Sequence, residues 1–406
     1  MKKLFLIDGN AILHRAYHAL PPFKTTKGEL VNAVYGFSSM LLNIINNQKP
    51  DYIAVSFDRK APTFRHVEYK EYKATRVKAP DDLYEQLPRI KQVVEAFNIP
   101  IFEMDGYEAD DILGTLAEQA KKMNSKCESD DERELRRDNE NIRKGGAERE
   151  SFYEYTNEGK HVHKNDRYDD EHILAEDSIK TFIVTGDMDT LQLISPTTFV
   201  FAPQRGVLDY LIYDSAKVLS KYGLEPNQIV DFKALKGDAS DNIPGVMGIG
   251  DKTAVDLLQK YKTLDGIYDH LSELRDSLRE KLTKDRDNAF FSRRLATIMR
   301  DVPIELDIEN CKTHTFELEK IVRLFEELEF KSLLGKLNHF NGHYSRVRDI
   351  EDSNQDKGSS QHEDSSRNKD PNQHKDPSQN KDSNQHRNSS RHEDLNHADS
   401  GQQSLF

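Results

Sequence analysis

The sequence predicts an α/β fold with a mostly parallel central sheet flanked by helices, followed by a helical region. Three apolar runs, each stopping at an aspartate, indicate the sheet: residues 4–7 before Asp8, residues 52–57 before Asp58, and residues 182–184 just before Asp187. Near-continuous apolar strands separated by helical patterns are typical of a parallel sheet covered on both faces. The carboxyl ends of such strands meet at one edge, so we expect these aspartates to face a common site.

A cluster of acids opens the helix that is predicted to start near residue 108. Glu108, Asp110 and Asp111 fall within four residues. An apolar stripe follows at helical spacing, formed by Ala109, Ile112, Leu113 and Leu116. Acids at a helix N-terminus are by themselves explained by the helix dipole. Together with the strand-end aspartates, however, they indicate that this helix carries its charges to the same edge of the sheet.

Composition limits the classes of protein to be considered. The chain has 406 residues, of which 36% are hydrophobic and none is tryptophan, which is low for one continuous globule. Part of the chain is therefore expected to be unfolded. Cys127 and Cys311 offer no metal-knuckle spacing or disulfide framework, and no apolar run approaches the ~18 residues needed to span a bilayer. With no signal or transit peptide before the first strand, we expect a cytoplasmic protein with no membrane segment.

The formal net charge of −13 is unevenly distributed along the chain. Residues 122–178 carry a net charge of −6 and residues 351–400 a net charge of −4, which leaves −3 for the rest. That remainder includes nine acids that we assign below to bound cations. The folded part is thus close to neutral and becomes basic once cations bind, as a nucleic-acid-binding protein requires.

Five motifs in order carry a family resemblance: residues 6–10, 57–58, 108–111, 185–189 and 237–245. Together they resemble the 5′-nuclease domain of bacterial DNA polymerase I, a relative of the flap endonucleases. The resemblance covers roughly residues 1–121 and 180–340. It implies a PIN-like 5′-nuclease fold with a helix-hairpin-helix type of DNA-binding region, here as a stand-alone protein without the polymerase and proofreading domains.

The mechanism is expected to depend on two Mg²⁺ or Mn²⁺ ions, since nine carboxylates converging on one cleft would repel each other without cations. By the family's pattern, the first carboxylate group consists of Asp8, Asp58, Glu108, Asp110 and Asp111. The second, more open carboxylate group consists of Asp187, Asp189, Asp238 and Asp241. Two such ions about 3.5–4 Å apart would clamp the scissile phosphate, activate the attacking water and stabilise the leaving oxygen.

Residues 63–78 are rich in cations and aromatic rings but poor in aliphatic side chains. This composition predicts a segment that covers the mouth of the site and not the interior. Interleaved rings and cations suit single-stranded nucleic acid, and the resemblance identifies the segment as the family's helical gateway. It implies that Tyr72 contacts DNA and that Lys73 and Arg76 act on the scissile phosphate. Arg15 matches a family position near the substrate phosphates.

A glycine-rich stretch follows the last acids. Spaced glycines between helical segments let backbone N–H groups approach a phosphate, and the next helix N-terminus adds its dipole. We therefore predict duplex binding at Gly245, Gly248, Gly250 and Lys252. In the family such a loop grips the duplex downstream of the cut, often with K⁺.

The sequence predicts three regions: an α/β nuclease domain at 1–210, a helical DNA-binding domain at 211–342 and a disordered tail at 343–406. The nuclease domain contains a charged insertion at about 122–178, without hydrophobic periodicity until its end, which we expect to be disordered or loosely helical and to emerge opposite the carboxylates. The tail repeats a Lys-Asp-Pro-type hexamer.

The tail ends in a short apolar peptide. Gln402, Leu405 and Phe406 form a Gln-x-x-Leu-Phe pattern that resembles the peptide by which bacterial replication proteins dock on the sliding clamp. A flexible tether of some sixty residues would raise the local concentration of the nuclease at nicks. The alternative is an accidental sticky terminus.

The expected function is a structure-specific 5′-3′ exonuclease or 5′-flap endonuclease in primer removal and DNA repair. Its expected partners are DNA with 5′ flaps, nicks or 5′ ends and an RNA primer in an RNA–DNA hybrid, bound by a monomer associated with the nucleoid. Two alternatives are a PIN-type ribonuclease, which would lack the gateway and glycine hairpin, and a non-catalytic flap-binding paralogue, which would have lost several acids or Lys73.

Overall fold

The structure is a computed structural model that describes residues 1–127, 178–204, 209–313 and 316–337. Within these residues the chain forms a six-stranded sheet in the order β3-β2-β1-β4-β5-β6. The strands are β1 (Lys2–Asp8), β2 (Tyr52–Ser56), β3 (Ile101–Phe102), β4 (Ile179–Val184), β5 (Thr198–Pro203) and β6 (Tyr210–Tyr213). Strands β1 to β5 pair in parallel and β6 pairs antiparallel with β5, so the predicted mostly parallel sheet is confirmed.

Helices connect and flank the strands. In the first part of the chain they are α1 (Gly9–Ala19), α2 (Asn32–Asn43), α3 (Phe64–Glu68), α4 (Asp81–Glu85), α5 (Leu87–Ala96) and α6 (Ala109–Cys127). After the sheet come α7 (Ser215–Tyr222), α8 (Ile229–Lys236), α9 (Asp251–Tyr261), α10 (Leu264–Asp269), α11 (Asp276–Lys284), α12 (Arg286–Ala296), α13 (Leu318–Glu327) and α14 (Lys331–Leu337).

Strand register brings the three predicted strand ends together. In the ladder between β1 and β2, Asp8 lies opposite Ser56, two residues before Asp58. In the ladder between β1 and β4, Ile7 lies opposite Val184, three residues before Asp187. Because β1 pairs with both neighbours in parallel, all three aspartates follow the same edge of the sheet.

Alternation along β1 separates two cores, one on each face of the sheet. Phe5 and Ile7 belong to a cluster with residues from α1, α2, α5, α13 and α14. Leu4 and Leu6 belong to a second cluster with residues of α6 and the segment from Ile298 to Leu306. Coverage of both faces explains why the strands read as continuous apolar runs and not as alternating patterns.

A third core holds the helices around the glycine-rich loop, with Leu235, Ile249, Leu258 and Leu282 buried in it. The last two helices instead pack on the α/β part: the rings of Phe325 and Phe97 lie 6.2 Å apart. The predicted boundary between residues 210 and 211 falls inside β6. The division of the chain into domains stays a prediction.

The described ends of the predicted insertion lie side by side. The amide of Asn124 donates to the Ile179 carbonyl at 2.9 Å, and the Ile179 N–H donates back to the Asn124 side chain at 2.7 Å. Ile179 begins β4, so this junction lies at the amino-terminal edge of the sheet, opposite the aspartates. Residues 128–177, the tail at 343–406 and its terminal Gln402, Leu405 and Phe406 lie outside the described residues. Among the described helices, none is long and apolar enough to cross a membrane.

Candidate active site

The strand-end aspartates are held by the elements that follow them. Asp8 caps α1, accepting from the Ala11 N–H at 2.9 Å, and accepts from the Thr185 hydroxyl at 2.8 Å. Asp58 accepts from the Ala109 N–H at 2.7 Å, which ties the end of β2 to the start of α6. Burial, with repulsion from Asp58 and Asp187, raises the pKa of Asp8 to about 7. These three acids therefore share one electrostatic environment.

A buried arginine supports the acids at the start of α6. The Arg65 side chain is 1% exposed and forms two hydrogen bonds to Asp111, at 2.7 and 2.8 Å, and one to Glu108 at 3.3 Å. It also donates to the carbonyls of Leu295 and Thr297, at 2.9 and 2.8 Å. Arg65 therefore joins α3, α6 and the end of α12 through one desolvated guanidinium.

Asp111 and Asp110 differ in their surroundings although they are adjacent. Asp111 is fully buried, and besides Arg65 it accepts from the N–H groups of Glu108 at 3.1 Å and Met299 at 2.8 Å. The structure thus places Asp111 as an anchor of the fold, and its assignment as a metal ligand stays a prediction. For Asp110, burial and repulsion from Asp111 raise the pKa well above its usual range.

The segment at residues 63–78 lies over the acids, but two of its side chains point inward. Tyr72 is only 4% exposed, and its hydroxyl lies 3.1 Å from carboxylate oxygens of both Glu108 and Asp241. The expectation that this segment stays out of the interior is therefore wrong for Arg65 and Tyr72. Their partners are acids of the site, which the composition of the segment alone does not reveal. The predicted contact of Tyr72 with DNA stays a prediction.

Lys73 and Arg76, the two predicted catalytic cations, lie beside the acids. Lys73 Nζ is 2.9 Å from Glu108 Oε1, and its N–H donates to the Asp241 carbonyl at 3.0 Å. Arg76 pairs with the Asp241 carboxylate while its side chain remains 48% exposed. Both cations therefore contact carboxylates from different parts of the chain.

The second carboxylate group gathers around a lysine of α8. Lys233 Nζ donates to the carboxylates of both Asp189 and Asp238. Asp187 accepts from the Asp189 N–H at 2.9 Å. Burial and repulsion from Asp187 still raise the pKa of Asp189 to about 7 in spite of Lys233. For Asp238, the attraction of Lys233 and hydrogen bonds from Ser240 outweigh burial and lower the pKa to about 2.

The donor set fits hard divalent cations, although basic side chains occupy several of the acids. Carboxylate oxygens are the ligands that Mg²⁺ and Mn²⁺ prefer. Burial is the main cause of the raised pKa values of Asp8 and Asp189, so a bound cation would stabilise the ionised form of both carboxylates. Within the described parts of the chain, no group of three or more His, Cys, Asp or Glu side chains is already arranged to hold a metal ion. Several of these acids are instead paired with Arg65, Lys73, Arg76 and Lys233.

Of the predicted DNA-binding residues, Tyr72 lies among the acids, whereas the glycines and Lys252 follow the loop that carries Asp238 and Asp241. Gly245 is buried with a φ of +66°, and an added Cβ would lie 2.2 Å from the Gly237 nitrogen, so the fold itself requires glycine there. Gly248, Gly250 and Lys252 are exposed at the loop and the first turn of α9. On α1, burial lowers the pKa of the partly buried Arg15.

Sequence reasoning missed the roles of Arg65, Lys233 and Thr185. Arg65 belongs to the cation-rich segment but carries no mark of burial in the sequence. Lys233 stands in an otherwise apolar turn of α8 between Phe232 and Ala234, which is the one signal the sequence offers. Thr185 follows β4 directly, and its hydroxyl donates to Asp8.

Acids from three parallel strands and one helix, lying beneath a cation-rich segment, define a nuclease with the PIN-like 5′-nuclease fold. Two family models match in sequence order. The N-terminal resolvase-like domain of 5′-3′ exonucleases matches residues 3–132, and the C-terminal SAM fold of 5′-3′ exonucleases matches residues 224–319. The chain therefore belongs to the 5′-3′ exonuclease family.

Among curated proteins, the chain is similar to bacterial DNA polymerases I. It is 38% identical to that of Caldicellulosiruptor bescii over 339 residues, covering 82% of this chain and 33% of the relative. It is 35% identical to that of Bacillus subtilis over 354 residues, covering 87% of this chain and 34% of the relative. The chain thus spans about one third of the length of these relatives.

Solved structures show the same fold at low sequence identity. The bacteriophage T5 D15 protein, co-crystallised with metal ions, gives a TM-score of 0.50 at 16% identity, covering 73% of this chain and 89% of that chain. A variant of the T5 D15 flap endonuclease, in a complex with DNA and metal ions, gives a TM-score of 0.52 at 16% identity. That match covers 80% of this chain and all of the other.

Proposed function

We propose that this protein is a 5′-3′ exonuclease and 5′-flap endonuclease that hydrolyses DNA phosphodiester bonds with two divalent metal ions. The observation that carries the proposal is the convergence of the strand-end acids Asp8, Asp58 and Asp187 beside Lys73 and Arg76. Family membership supports the reaction class. One structural neighbour that was solved with DNA and metal ions shares the fold.

The first and second carboxylate groups would hold the two ions, Mg²⁺ or Mn²⁺. When bound, such ions polarise the phosphate and activate a water for attack. Lys73 and Arg76 can add positive charge next to the phosphate, because both reach the site from the covering segment. Tyr72 links Glu108 to Asp241, so it would keep acids from the two groups at a fixed spacing.

The DNA duplex would be bound away from the acids, at the exposed loop of the helical region. Gly248, Gly250 and Lys252 offer backbone N–H groups and a cation at the start of α9, with K⁺ as the expected ion of the loop. Arg15 would contact substrate phosphates on the α1 side. The substrates would be 5′ flaps, nicks and 5′ ends, including RNA primers in RNA–DNA hybrids.

In the cell, such an enzyme would act in Okazaki-fragment primer removal and in DNA repair, as a monomer in the cytoplasm at the nucleoid. Sequence similarity to DNA polymerases I supports this placement. Docking on a sliding clamp through Gln402, Leu405 and Phe406 is part of the proposal and rests on the sequence alone. Binding of a tail peptide to the cognate clamp, compared with a peptide carrying Leu405→Ala and Phe406→Ala, tests it; equal binding would remove the docking role.

The central test is cleavage of a labelled 5′-flap duplex with and without Mg²⁺. Cleavage that requires Mg²⁺ is expected for the wild type, whereas Asp110→Asn and Asp187→Asn should abolish cleavage and leave flap binding within a few fold. Each variant keeps side-chain size and removes one charge. Near wild-type cleavage in either variant would contradict the two-metal assignment.

The same assay separates the two alternatives. Binding of the flap without cleavage under any metal condition would indicate a non-catalytic flap-binding paralogue. Cleavage of single-stranded RNA without cleavage of flap DNA would indicate a PIN-type ribonuclease. All nine acids and Lys73 are present in this chain, which favours the enzyme.

A further inference from the structure

Lys233 is placed where a cation is needed by two acids of the second carboxylate group. It lies in α8, one turn before the loop that carries Asp238. Its ammonium group donates to Asp189 and to Asp238, which are 44 residues and 5 residues away in sequence. The three side chains are 17%, 14% and 13% exposed, so the contact is largely shielded from water.

Shielding makes this arrangement different from an ordinary surface ion pair. Charges that are shielded from solvent interact more strongly than exposed ones, and an unpaired charge there is costly. Asp187 lies next to Asp189 and adds a further negative charge. Without Lys233, the three neighbouring acids would have to stay together without the ammonium that now contacts Asp189 and Asp238.

The same carboxylate oxygens are the proposed ligands of the second divalent ion. An ammonium group and a divalent cation on the same carboxylates repel each other and draw on the same oxygen lone pairs. We infer that Lys233 is a built-in counter-ion of the second carboxylate group, which holds Asp189 and Asp238 together before metal binds and opposes the binding of the second ion to them. The inference rests on the proposed two-metal function and deepens it.

Two consequences follow from this competition between Lys233 and the second ion. The metal-free protein is more stable with Lys233 than without it, because the ammonium offsets repulsion among the acids. The affinity for the second ion is lower with Lys233 than without it, because the ammonium repels the ion and competes for the same carboxylates. A residue with a merely structural role would produce the first effect and not the second.

The test is a Mn²⁺ titration of the full-length protein without DNA, with free Mn²⁺ followed by electron paramagnetic resonance. Lys233→Met keeps the length and apolar stem of the side chain and removes its charge. The weaker class of Mn²⁺ sites is expected to tighten about 5- to 10-fold in this variant, and the stronger class to stay within twofold. The matched control is Lys236→Met, because Lys236 lies three residues later in α8 and pairs with the exposed Asp251.

Thermal unfolding provides a second readout that does not depend on activity. In EDTA, Lys233→Met should lower the midpoint below that of the wild type, and saturating Mn²⁺ should raise it by more than it raises the wild type. If Lys233→Met does not fold, Lys233→Gln, which keeps a hydrogen-bond donor but no charge, is expected to give the same pattern. Lys233→Arg, which keeps the charge, should bind Mn²⁺ no more tightly than the wild type.

Unchanged or weaker Mn²⁺ binding at the weaker sites of Lys233→Met would overturn the inference and leave the proposed function standing. A wild-type protein that binds fewer than two Mn²⁺ ions per chain, with or without a non-cleavable flap, would overturn the two-metal proposal itself. The two failures are thus distinguishable by the number of ions bound.

Discussion

The two carboxylate groups are balanced by cations in different places. In the first carboxylate group, the main cation is Arg65, which is 1% exposed and whose N–H groups contact two carboxylates and two backbone carbonyls. In the second, the cations are Lys233 and Arg76, and the Arg76 side chain is 48% exposed. The first arrangement is part of the fold, whereas the second leaves cations able to move when a ligand arrives.

The difference has a physical cause. A guanidinium with every partner fixed by backbone and carboxylate groups cannot leave without exposing several unsatisfied groups. Arg76, whose side chain is 48% exposed, can rotate away into water, and Lys233 is held by two carboxylates instead of the four groups that hold Arg65. The comparison therefore predicts that a change of the buried cation in the first group acts mainly on stability, and changes of the cations in the second group act mainly on ligand binding.

The largest expected effect is on Arg65. Arg65→Met should lower the free energy of unfolding by about 3–5 kcal/mol, because it leaves Asp111 buried without its partner. Arg76→Met, the matched change in the second group, should cost at most about 1 kcal/mol, since the Arg76 side chain is half exposed and Asp241 keeps the Tyr72 hydroxyl as a partner. Urea unfolding of both variants in EDTA measures the difference. Equal losses would remove the distinction between the two groups.

How far the sequence predicts the site depends on how far apart in sequence the interacting residues lie. Apolar runs ending at Asp8, Asp58 and Asp187 predict the site, because parallel topology alone brings strand ends together. Arg65 and Asp111 are 46 residues apart, and their pairing depends on how α3 packs against α6 and α12. No local pattern encodes that packing.

Packing between distant elements also limits what the sequence predicts for the glycines and for residues 63–78, which lie over the acids. The spacing of the glycines singles out Gly245, but its close approach to Gly237 depends on the packing of α8 against the loop. The fold class is predictable because strand and helix periods are local signals. The burial of Tyr72 is not, since its partners come from α6 and from the loop after α8.

A second prediction concerns the pH dependence of stability. The pKa of Asp8 is raised from 3.8 to about 7, so between these values the folded chain holds a proton that the unfolded chain has released. The free energy of unfolding in EDTA should therefore fall by a few kcal/mol as the pH rises from 4 to 7 and level off above 7. One proton held only by the folded chain changes this free energy by about 1.4 kcal/mol for each pH unit.

Asp8→Asn should remove much of this slope, because the amide does not titrate. Asp265→Asn is the control: Arg293 lowers the pKa of the exposed Asp265, so this group stays ionised between pH 5 and pH 8 in both states. Urea midpoints at pH 5 and pH 8 provide the measurement. An unchanged slope in Asp8→Asn would show that the first carboxylate group is better compensated than its geometry indicates.

A smaller effect, on duplex binding, is expected from a change of Lys252, at the glycine-rich loop that follows the second carboxylate group. Lys252→Ala should weaken duplex binding for all sequences and reduce the slope of log affinity against log salt by about 1, as the loss of one phosphate contact does. Lys217→Ala is the control, since Lys217 is also exposed in the first turn of a helix but does not follow a glycine loop. Fluorescence anisotropy over a salt series measures both, and equal slopes would argue against the loop as a duplex site.

The smallest effect is expected from replacing the segment that joins the first carboxylate group to the second. Helix α6 carries Asp110 and Asp111, and β4 leads to Asp187 and Asp189; residues 128–177 join the two elements. The reciprocal hydrogen bonds between Asn124 and Ile179 already hold the ends of this interval together. A short Gly/Ser linker in place of residues 125–177 can therefore close the gap without moving either group, since closing a shorter loop costs less entropy.

This replacement should preserve cooperative unfolding, Mn²⁺ binding and flap cleavage, with the free energy of unfolding within about 1 kcal/mol of the wild type. Asn124→Ala in both backgrounds tests the junction itself, because it removes the pair that aligns α6 with the start of β4. Loss of cooperative unfolding in the replacement alone would show that the two carboxylate groups depend on the intervening segment. Loss of cleavage with stability intact would instead give that segment a part in the reaction, which its composition does not predict.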